Sequence, residues 1–453
     1  MKKTILLMSI VSSIVTMSNT IKGEISTTFK NTNSFKINEA NKVSKKEFKI
    51  DETTTDGHIV LPSGFTLGAK IQAKDIVLPK DGKVGEKFLK DSTLYGKYEK
   101  DNLKVLGEIK KAEGSLEVSG VNTSWTKGVD YIAKGKLTVP FSKDKNIDYL
   151  DTLKLNTVLG VRNKYVDANL EVENNFSKVR YEKDKLKHHT LEFVKGEVNA
   201  KYDITQDTKL YSAAKMLYGL NKDSIEYKDQ LRDKDTKLSE SPVDSKFYQE
   251  YSLGVETKPI QNTKLNSDVF VQNVTNKDVL INTNAHTSYR KDNLVAFGTK
   301  LGVEYKGLKN TTLSVKGTLG GEYRNDKVYM DSKFSSTNFD KTKYLQGYAS
   351  AEFNAKYDIN KIDKVTITPE MTVKAVADQL PLIKKYDKGL PTNKLYSFTL
   401  EPKATVKYNP LSRLEINTNV STPIDFTNKD KQDNKIKFSS VDVKTGLDIK
   451  YTW

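Results

Sequence analysis

Chemistry in this chain has few residues to work with. There are four histidines, His58, His188, His189 and His286, and no cysteine. Thiolate nucleophiles, thiolate metal sites and disulfides are therefore excluded. No two histidines have the spacing of a helical metal pair, and His188 and His189, being adjacent, point to opposite sides of a strand. The stretch "AHTSYR" sets His286 two positions before Ser288, a spacing that a hydrolase could use. However, the alternation Ile281, Thr283, Ala285, Thr287, Tyr289 turns both residues to the polar side, and no third partner stands near them. The acidic run Asp223, Glu226, Asp229, Asp233, Asp235 alternates with Lys and Arg and lacks the spacing of a calcium loop. A solvated, ion-paired loop is the expectation there. No glycine-rich phosphate cradle occurs. The chain is expected to be no enzyme and to hold no cofactor or metal.

The elements that position these residues are strands. Apolar and polar residues alternate in Leu137-Val139-Phe141, Leu153-Leu155-Thr157-Leu159-Val161, Val295-Phe297-Thr299-Leu301-Val303-Tyr305 and Phe398-Leu400-Pro402-Ala404-Val406-Tyr408. Period two over such lengths, with no comparable helical stretch, predicts a nearly all-β chain. Pro369 and Pro402 fall on the apolar side of two such runs, where a missing N–H suggests bulges.

A longer regularity overlies the alternation. Tyr202, Tyr305, Tyr357 and Tyr408 are followed, eight positions on, by Leu210, Leu313, Val365 and Ile416, and Thr257 is followed by Leu265 in the same frame. Eight is even, so the apolar face stays on one side through the turn, as adjacent antiparallel strands require. The connections at the other strand ends are longer and charged, Asn221 to Lys246 being the longest. Short turns at one end and long hydrophilic loops at the other is the asymmetry of membrane barrels.

Met1 to Thr20 has the layout of a secretory signal, with Lys2 and Lys3 ahead of an apolar stretch and small residues after it. Beyond it no apolar run could form a membrane helix, so a bilayer could be crossed only by a closed barrel. Hydrophobic content of 36% and 29% charged residues, with a mean hydropathy of −0.59, would by themselves suit a solvated or partly disordered protein, and the alternation argues otherwise.

The ending "TGLDIKYTW", with Leu447, Ile449, Tyr451 and Trp453 on one face, resembles the C-terminal insertion signal of Gram-negative outer-membrane β-barrel proteins. In that class the last residue is usually Phe, and Trp is a tolerated variant. The resemblance is to a class and extends over the chain from about Gly64. It implies an antiparallel up-and-down barrel of the porin-like class in the cell outer membrane. Sixteen strands are counted back from the C-terminus, with fourteen to eighteen as the range and an even number required. Phe65 to Ile71 is a candidate further strand, and "VRNKYVD" (Val161 to Asp167) is a bulge or a tight turn. The domain reading is a signal peptide (1–20), a polar arm (21–62) and the barrel (63–453).

Functional expectations follow from the two faces. Tyr202, Tyr305, Tyr357 and Tyr408 would form the periplasmic aromatic girdle. Lys300, Glu304, Lys316, Glu322, Glu401, Lys403 and Lys407 would line the lumen, as would Lys134, Lys136, Lys374, Lys444 and Lys450. The net charge of +16 then predicts a weakly anion-preferring channel for small hydrophilic solutes. The rival is a surface adhesin or binding barrel that acts through its long loops. Implied partners are outer-membrane lipid and lipopolysaccharide and the insertion machinery, with a homotrimer as one arrangement open to this class. Nucleic acid is not expected for an exported chain.

Overall fold

The structure, a computed structural model, describes residues 22–37, 43–77, 92–110, 113–141, 152–181, 185–189, 193–219, 226–237, 243–281, 287–329, 337–382, 394–428 and 435–453. The strands are β1 (Lys22–Ile37), β2 (Val43–Val60), β3 (Phe65–Val77), β4 (Thr93–Lys100), β5 (Leu103–Lys110), β6 (Glu113–Thr126), β7 (Val129–Pro140), β8 (Thr152–Asn163) and β9 (Val166–Tyr181). There follow β10 (Lys185–His189), β11 (Phe193–Asp203), β12 (Thr208–Gly219), β13 (Glu226–Asp229), β14 (Lys234–Lys237), β15 (Val243–Thr257), β16 (Thr263–Ile281) and β17 (Thr287–Tyr305). The last are β18 (Thr311–Tyr329), β19 (Thr337–Tyr357), β20 (Ile359–Ile362), β21 (Val365–Pro381), β22 (Leu395–Leu411), β23 (Leu414–Ser421), β24 (Ile424–Thr427) and β25 (Lys437–Thr452).

Each strand pairs antiparallel with its neighbour, and β25 pairs with β1 from Glu24↔Thr452 to Lys36↔Ser440. The sheet is thereby closed, with 20 strands in the wall. β10 extends the β9 hairpin, β20 belongs to the turn before β21, β23 and β24 share one wall position, and β13 and β14 form a separate hairpin. Among the described residues closure leaves no edge strand, which is what a bilayer interior demands of a sheet.

Twenty strands, where sixteen were counted, correct the sequence expectation, and the four additions have identifiable causes. "VRNKYVD" is a tight turn, so the expected single strand is β8 and β9. Asn163 Oδ1 accepts from the backbone N–H groups of Tyr165 and Val166, both at 2.8 Å, and holds that turn. β3 confirms the candidate at Phe65. β1 and β2 lie within the region expected to be a polar arm, and this corrects the boundary at residue 62. They escape the apolar pattern because Thr27, Asn31, Thr53 and Thr55 occupy their outward positions. Three of them meet partners across strands, Thr445 Oγ1 donating to Asn31 Oδ1 at 2.6 Å and Thr27 Oγ1 lying 3.3 Å from Thr55 Oγ1. The expected signal peptide lies outside the described residues.

Nine short turns, all described, share one end of the barrel with Gly23 and Trp453. The eight-residue frames are register partners: Tyr202↔Leu210, Thr257↔Leu265, Tyr305↔Leu313 and Tyr408↔Ile416. At Tyr357 the frame is lengthened by β20. Left-handed residues tighten several of these turns, at Asp101, Asn262 and Asn310, side chains that tolerate that conformation.

Pro369 and Pro402 cause no register shift against each other's strands. Each sits where a neighbouring ladder stops. The β19–β21 pairing ends at Lys356↔Glu370, and the partner of β22 is broken at Thr422 and Pro423, between β23 and β24. The bulges suggested for these prolines are thus replaced by ladder ends, where no N–H is required.

Candidate functional site: a hairpin inside the barrel

The longest connection, between β12 and β15, carries the hairpin β13–β14, paired from Glu226↔Lys237 to Asp229↔Lys234. Its tip is Gln230 to Asp233. Asp229 shapes that tip: its Oδ1 accepts from the backbone N–H groups of Leu231 at 3.1 Å and Arg232 at 3.2 Å, an Asx turn. Asp233 takes the left-handed conformation with φ 51°.

Leu231 is 1% exposed and packs with Phe270, Ala296 and Tyr348, and Val376 joins the cluster. These belong to β16, β17, β19 and β21. The close fit depends on small wall residues, since a Cβ on Gly320 would press on Leu231 Cδ2 at 2.5 Å. Complete burial of one leucine supplies about 1.5–3 kcal/mol. A second contact joins Tyr227 to Tyr248, ring centroids 5.3 Å apart, beside Val274 and Leu294.

Polar contacts fix the tip. Arg232 donates from Nε to Asp378 Oδ2 at 2.8 Å and from Nη2 to Asp378 Oδ1 at 3.0 Å. Its Nη1 reaches Glu322 Oε2 at 2.7 Å and Asp229 Oδ2 at 3.1 Å. Gln272, 1% exposed, accepts from Gln230 N–H at 3.0 Å and donates to the Lys228 carbonyl at 2.6 Å. Gln230 donates to Glu250 Oε1 at 2.9 Å, Tyr248 donates to Glu250, and Lys300 donates to Gln230. The hairpin therefore touches six consecutive wall strands, β15 to β19 and β21. A segment that does so must lie on the concave side, and this identifies the face bearing Glu250, Gln272, Lys300, Glu322 and Asp378 as the lumen.

The electrostatics follow from burial and pairing. Burial alone would lower the Arg232 pKa, but the Asp378 hydrogen bonds and the charges of Glu322 and Asp378 outweigh it and raise it. The Tyr227 hydroxyl is pushed up to about 12, first by burial and then by the Asp229 and Glu322 charges. The hydrogen bond and charge of Lys228 hold Asp233 below the usual aspartate value; the pair is 2.9 Å apart.

The residues singled out from the sequence are placed as follows. Lys300 and Glu322 contact the hairpin as above. Glu304 pairs with Lys306 at 2.7 Å. Lys403 pairs with Glu370 at 3.3 Å and Lys407 with Glu415 at 3.1 Å. Lys134, Lys136 and Lys450 stand 3.0, 3.5 and 2.7 Å from Glu117, Glu108 and Glu24, and Lys374 stands 4.0 Å from Glu352. Lys316, Glu401 and Lys444 lie at lumen register positions, opposite Gly302, Thr372 and Thr32. On the outer face, Leu94, Leu159, Leu253, Leu301 and Leu319 are exposed.

Tyr202, Tyr305, Tyr357 and Tyr408 lie at the short-turn end. The ring pairs Phe65–Tyr98, Trp125–Tyr131, Tyr165–Tyr202 and Tyr451–Trp453 join them, with centroids 4.6, 5.2, 6.2 and 6.1 Å apart. Leu447, Ile449 and Tyr451 pair with Phe29, Thr27 and Ile25 of β1. Trp453 exchanges backbone hydrogen bonds with Gly23 at 3.0 and 3.1 Å. His58 stands opposite Glu24 on the lumen side. His286 and the Ser288 side chain lie outside the described residues, as do the His188 and His189 side chains.

Sequence reasoning missed the docked tip. The acidic run expected as a solvated loop contains Asp229, which is bound to Arg232, although Asp233 and Asp235 are exposed as expected. One leucine among charges has no periodicity to detect. The available signal was on the wall, in Glu250, Gln272, Glu322 and Asp378, polar groups that need a partner once buried.

A closed ladder, an apolar outer band and a polar lumen define a closed antiparallel β-barrel with the two faces that a membrane-spanning barrel requires. Among solved structures the chain is similar to OmpT, an outer membrane protein of Vibrio cholerae, at 10% identity over 97% of this chain and 99% of that one, with a TM-score of 0.33. It is also similar to Pseudomonas aeruginosa OpdQ (9% identity, 96% and 97% covered, TM-score 0.35). A third is the outer membrane channel DcaP of Acinetobacter baumannii (12% identity, 96% and 97% covered, TM-score 0.30). No protein-family model and no curated protein matches the chain.

Proposed function

We infer that this barrel is a channel for passive diffusion of small hydrophilic solutes, narrowed on one side by the β13–β14 hairpin. The observation that carries the reading is the docked Arg232 tip: it covers the wall from β15 to β21 and leaves the facing wall to line the passage. Barrels of sixteen or more strands enclose an aqueous channel unless it is filled.

Selectivity would be set by the lining. Because Lys134, Lys136, Lys403, Lys407 and Lys450 each stand beside a carboxylate, the anion preference suggested by net charge is a weak one. The aromatic pairs and the four tyrosines would mark the periplasmic headgroup level, and Leu447 to Trp453 would serve as the insertion label. Lipopolysaccharide and a second or third copy of the chain are partners the outer face could take. The role is transport rather than catalysis.

Planar-bilayer recording of folded protein tests this. Steps of uniform conductance with a small anion-favouring reversal potential are expected. Folded, heat-modifiable protein that conducts nothing would overturn the channel and favour a binding barrel that acts through its outer loops.

A further inference from the structure

At the long-loop end the register brings lysines into line. Lys277 stands opposite Lys291, Lys291 opposite Lys327, and Lys327 opposite Lys341, along the neighbouring strands β16 to β19. Lys343 stands opposite Asn325, diagonal to Lys327. Lys300 and Glu322 face the lumen, so the odd-numbered positions of β17 and β18, exposed Leu301 and Leu319 among them, face outward. Lys291 and Lys327 are therefore outward residues, and Lys343 shares their face as the partner of Asn325. Directly opposite positions bring Cβ atoms to about 4.5–5.5 Å, and diagonal ones to about 7–8 Å.

Like charges directly opposite one another destabilise a sheet. Among the described residues no carboxylate stands on this stretch of the outward face to offset them. The adjoining outward row is Thr275, Asn293 and Asn325, with Thr275 donating to Asn293 at 2.9 Å. Asp292 and Asp326 take even positions and face the lumen, where Asp326 pairs with Arg324 at 2.9 Å. Depth places the row as well. The outward residues Val295, Phe297, Leu301, Val303 and Tyr305 of β17 cover ~33 Å of strand, or ~25 Å of bilayer at the usual tilt, the height of a barrel's apolar band. Lys291 lies ~13 Å further along the strand, where headgroups replace hydrocarbon, and a lysine stem can lie along the wall to bring its amine to a phosphate.

We propose that Lys291, Lys327 and Lys343 bind the phosphates of a diphosphorylated glycolipid in the outer leaflet, the lipid A part of lipopolysaccharide. The three lysines spread over three strands, ~10 Å of wall, wider than one phosphate and suited to a sugar headgroup that carries two. Phosphate oxygens between Lys291 and Lys327 replace their repulsion by charge-assisted hydrogen bonds, and the apolar rows beneath take the acyl chains. The inference rests on the placement read above, with the short turns at the periplasmic level, and is independent of conduction through the lumen.

The test is native mass spectrometry of the folded full chain in a nonionic detergent, offered equal amounts of diphosphorylated lipid A and its dephosphorylated form. One lipid A retained in roughly tenfold preference is expected, since basic residues at headgroup level add affinity for anionic lipid. The triple substitution K291Q/K327Q/K343Q should level that preference. K258Q/K306Q/K309Q, the same change of charge among exposed lysines at the short-turn end, should leave it in place. Heat-modifiable migration on a gel should be unchanged in each. If the first triple variant fails that folding check, Lys327→Gln alone, which removes the middle amine, should lower the preference severalfold. Undiminished preference in the folded lysine variant overturns the proposal, as does an equal loss in the short-turn variant, which makes net charge the cause. Phosphatidylglycerol that displaces lipid A mole for mole overturns the choice of occupant. A wild type that shows the lysine-dependent preference yet conducts nothing supports this site and removes the channel reading alone.

Discussion

Arg232 and Asp378 lie 146 residues apart in sequence, yet the guanidinium of one and the carboxylate of the other meet through two parallel hydrogen bonds of 2.8 and 3.0 Å. This fork-to-fork pairing fixes orientation as well as distance. With Glu322 and Asp229 on the remaining edge of the guanidinium, the hairpin tip is held as part of the wall.

Arg232→Ala should release the tip, because it leaves Glu322 and Asp378 buried and uncompensated. Breaking a buried ion pair from one side costs about 3–5 kcal/mol. Single-channel conductance is expected to rise severalfold, and Arg232→Lys, which cannot bridge both carboxylates in the same plane, should restore only part of the difference. Unchanged conductance in both variants would show that the tip does not limit the passage.

Leu231→Ala removes the buried anchor and leaves the ion pairs in place. Core leucine truncations cost about 2–5 kcal/mol, here charged against docking rather than against the barrel. The expected record is a channel that flickers between two levels at constant migration on a gel; a steady wild-type level would count against the packing argument.

Acid should loosen the tip as well. Asp233 has a pKa held below its ordinary value by Lys228, its partner within the hairpin, so its contribution to the shape of the hairpin tip is fully present above the unfolded aspartate value and is lost as pH falls through the lowered one. For ordinary aspartate that reference is about 3.9. Conductance measured from neutral pH downwards should stay level until that region and then increase, and Asp233→Asn should flatten the change at its onset.

At the seam, a Cβ on Gly23 would overlap the Trp453 ring and come within 2.8 Å of the His58 carbonyl. Gly23→Val should therefore slow or abolish conversion to the heat-modifiable form, and so should deletion of Tyr451 to Trp453, which removes the reciprocal bonds to Gly23. Normal assembly of the truncated chain would remove the insertion role from the terminal residues.

Selectivity should respond to the lining away from the hairpin. Lys403→Glu combined with Lys407→Glu places new carboxylates beside Glu370 and Glu415. The reversal potential in a salt gradient is expected to move towards cations with little change in conductance.

Much of this was legible in the sequence where the outward face is apolar. The frames at Tyr202, Tyr305 and Tyr408 became register partners because an apolar period of two can face lipid in only one way. The same rule failed at β1 and β2, where Thr27 and Thr55 stand outward as partners of one another and Asn31 as the partner of Thr445. It also failed at Lys164 and Tyr165, where one asparagine, not a glycine or proline, makes the turn. The lumen site was least legible of all. Arg232, Glu322 and Asp378 come from three distant segments, and their relation exists only after the wall has curved round to bring them together.

The reciprocal bonds between Gly23 and Trp453 mean that the ring of strands has no structural origin. A chain joined from Trp453 to Lys22 by a short linker and opened at the 258–262 turn would keep every neighbour it has now, since exposed turns near paired termini tolerate such rewiring. Shape and address would then part company. The rewired polymer describes the same closed surface, while Leu447, Ile449, Tyr451 and Trp453, proposed above as the insertion label, would stand in the interior of its sequence.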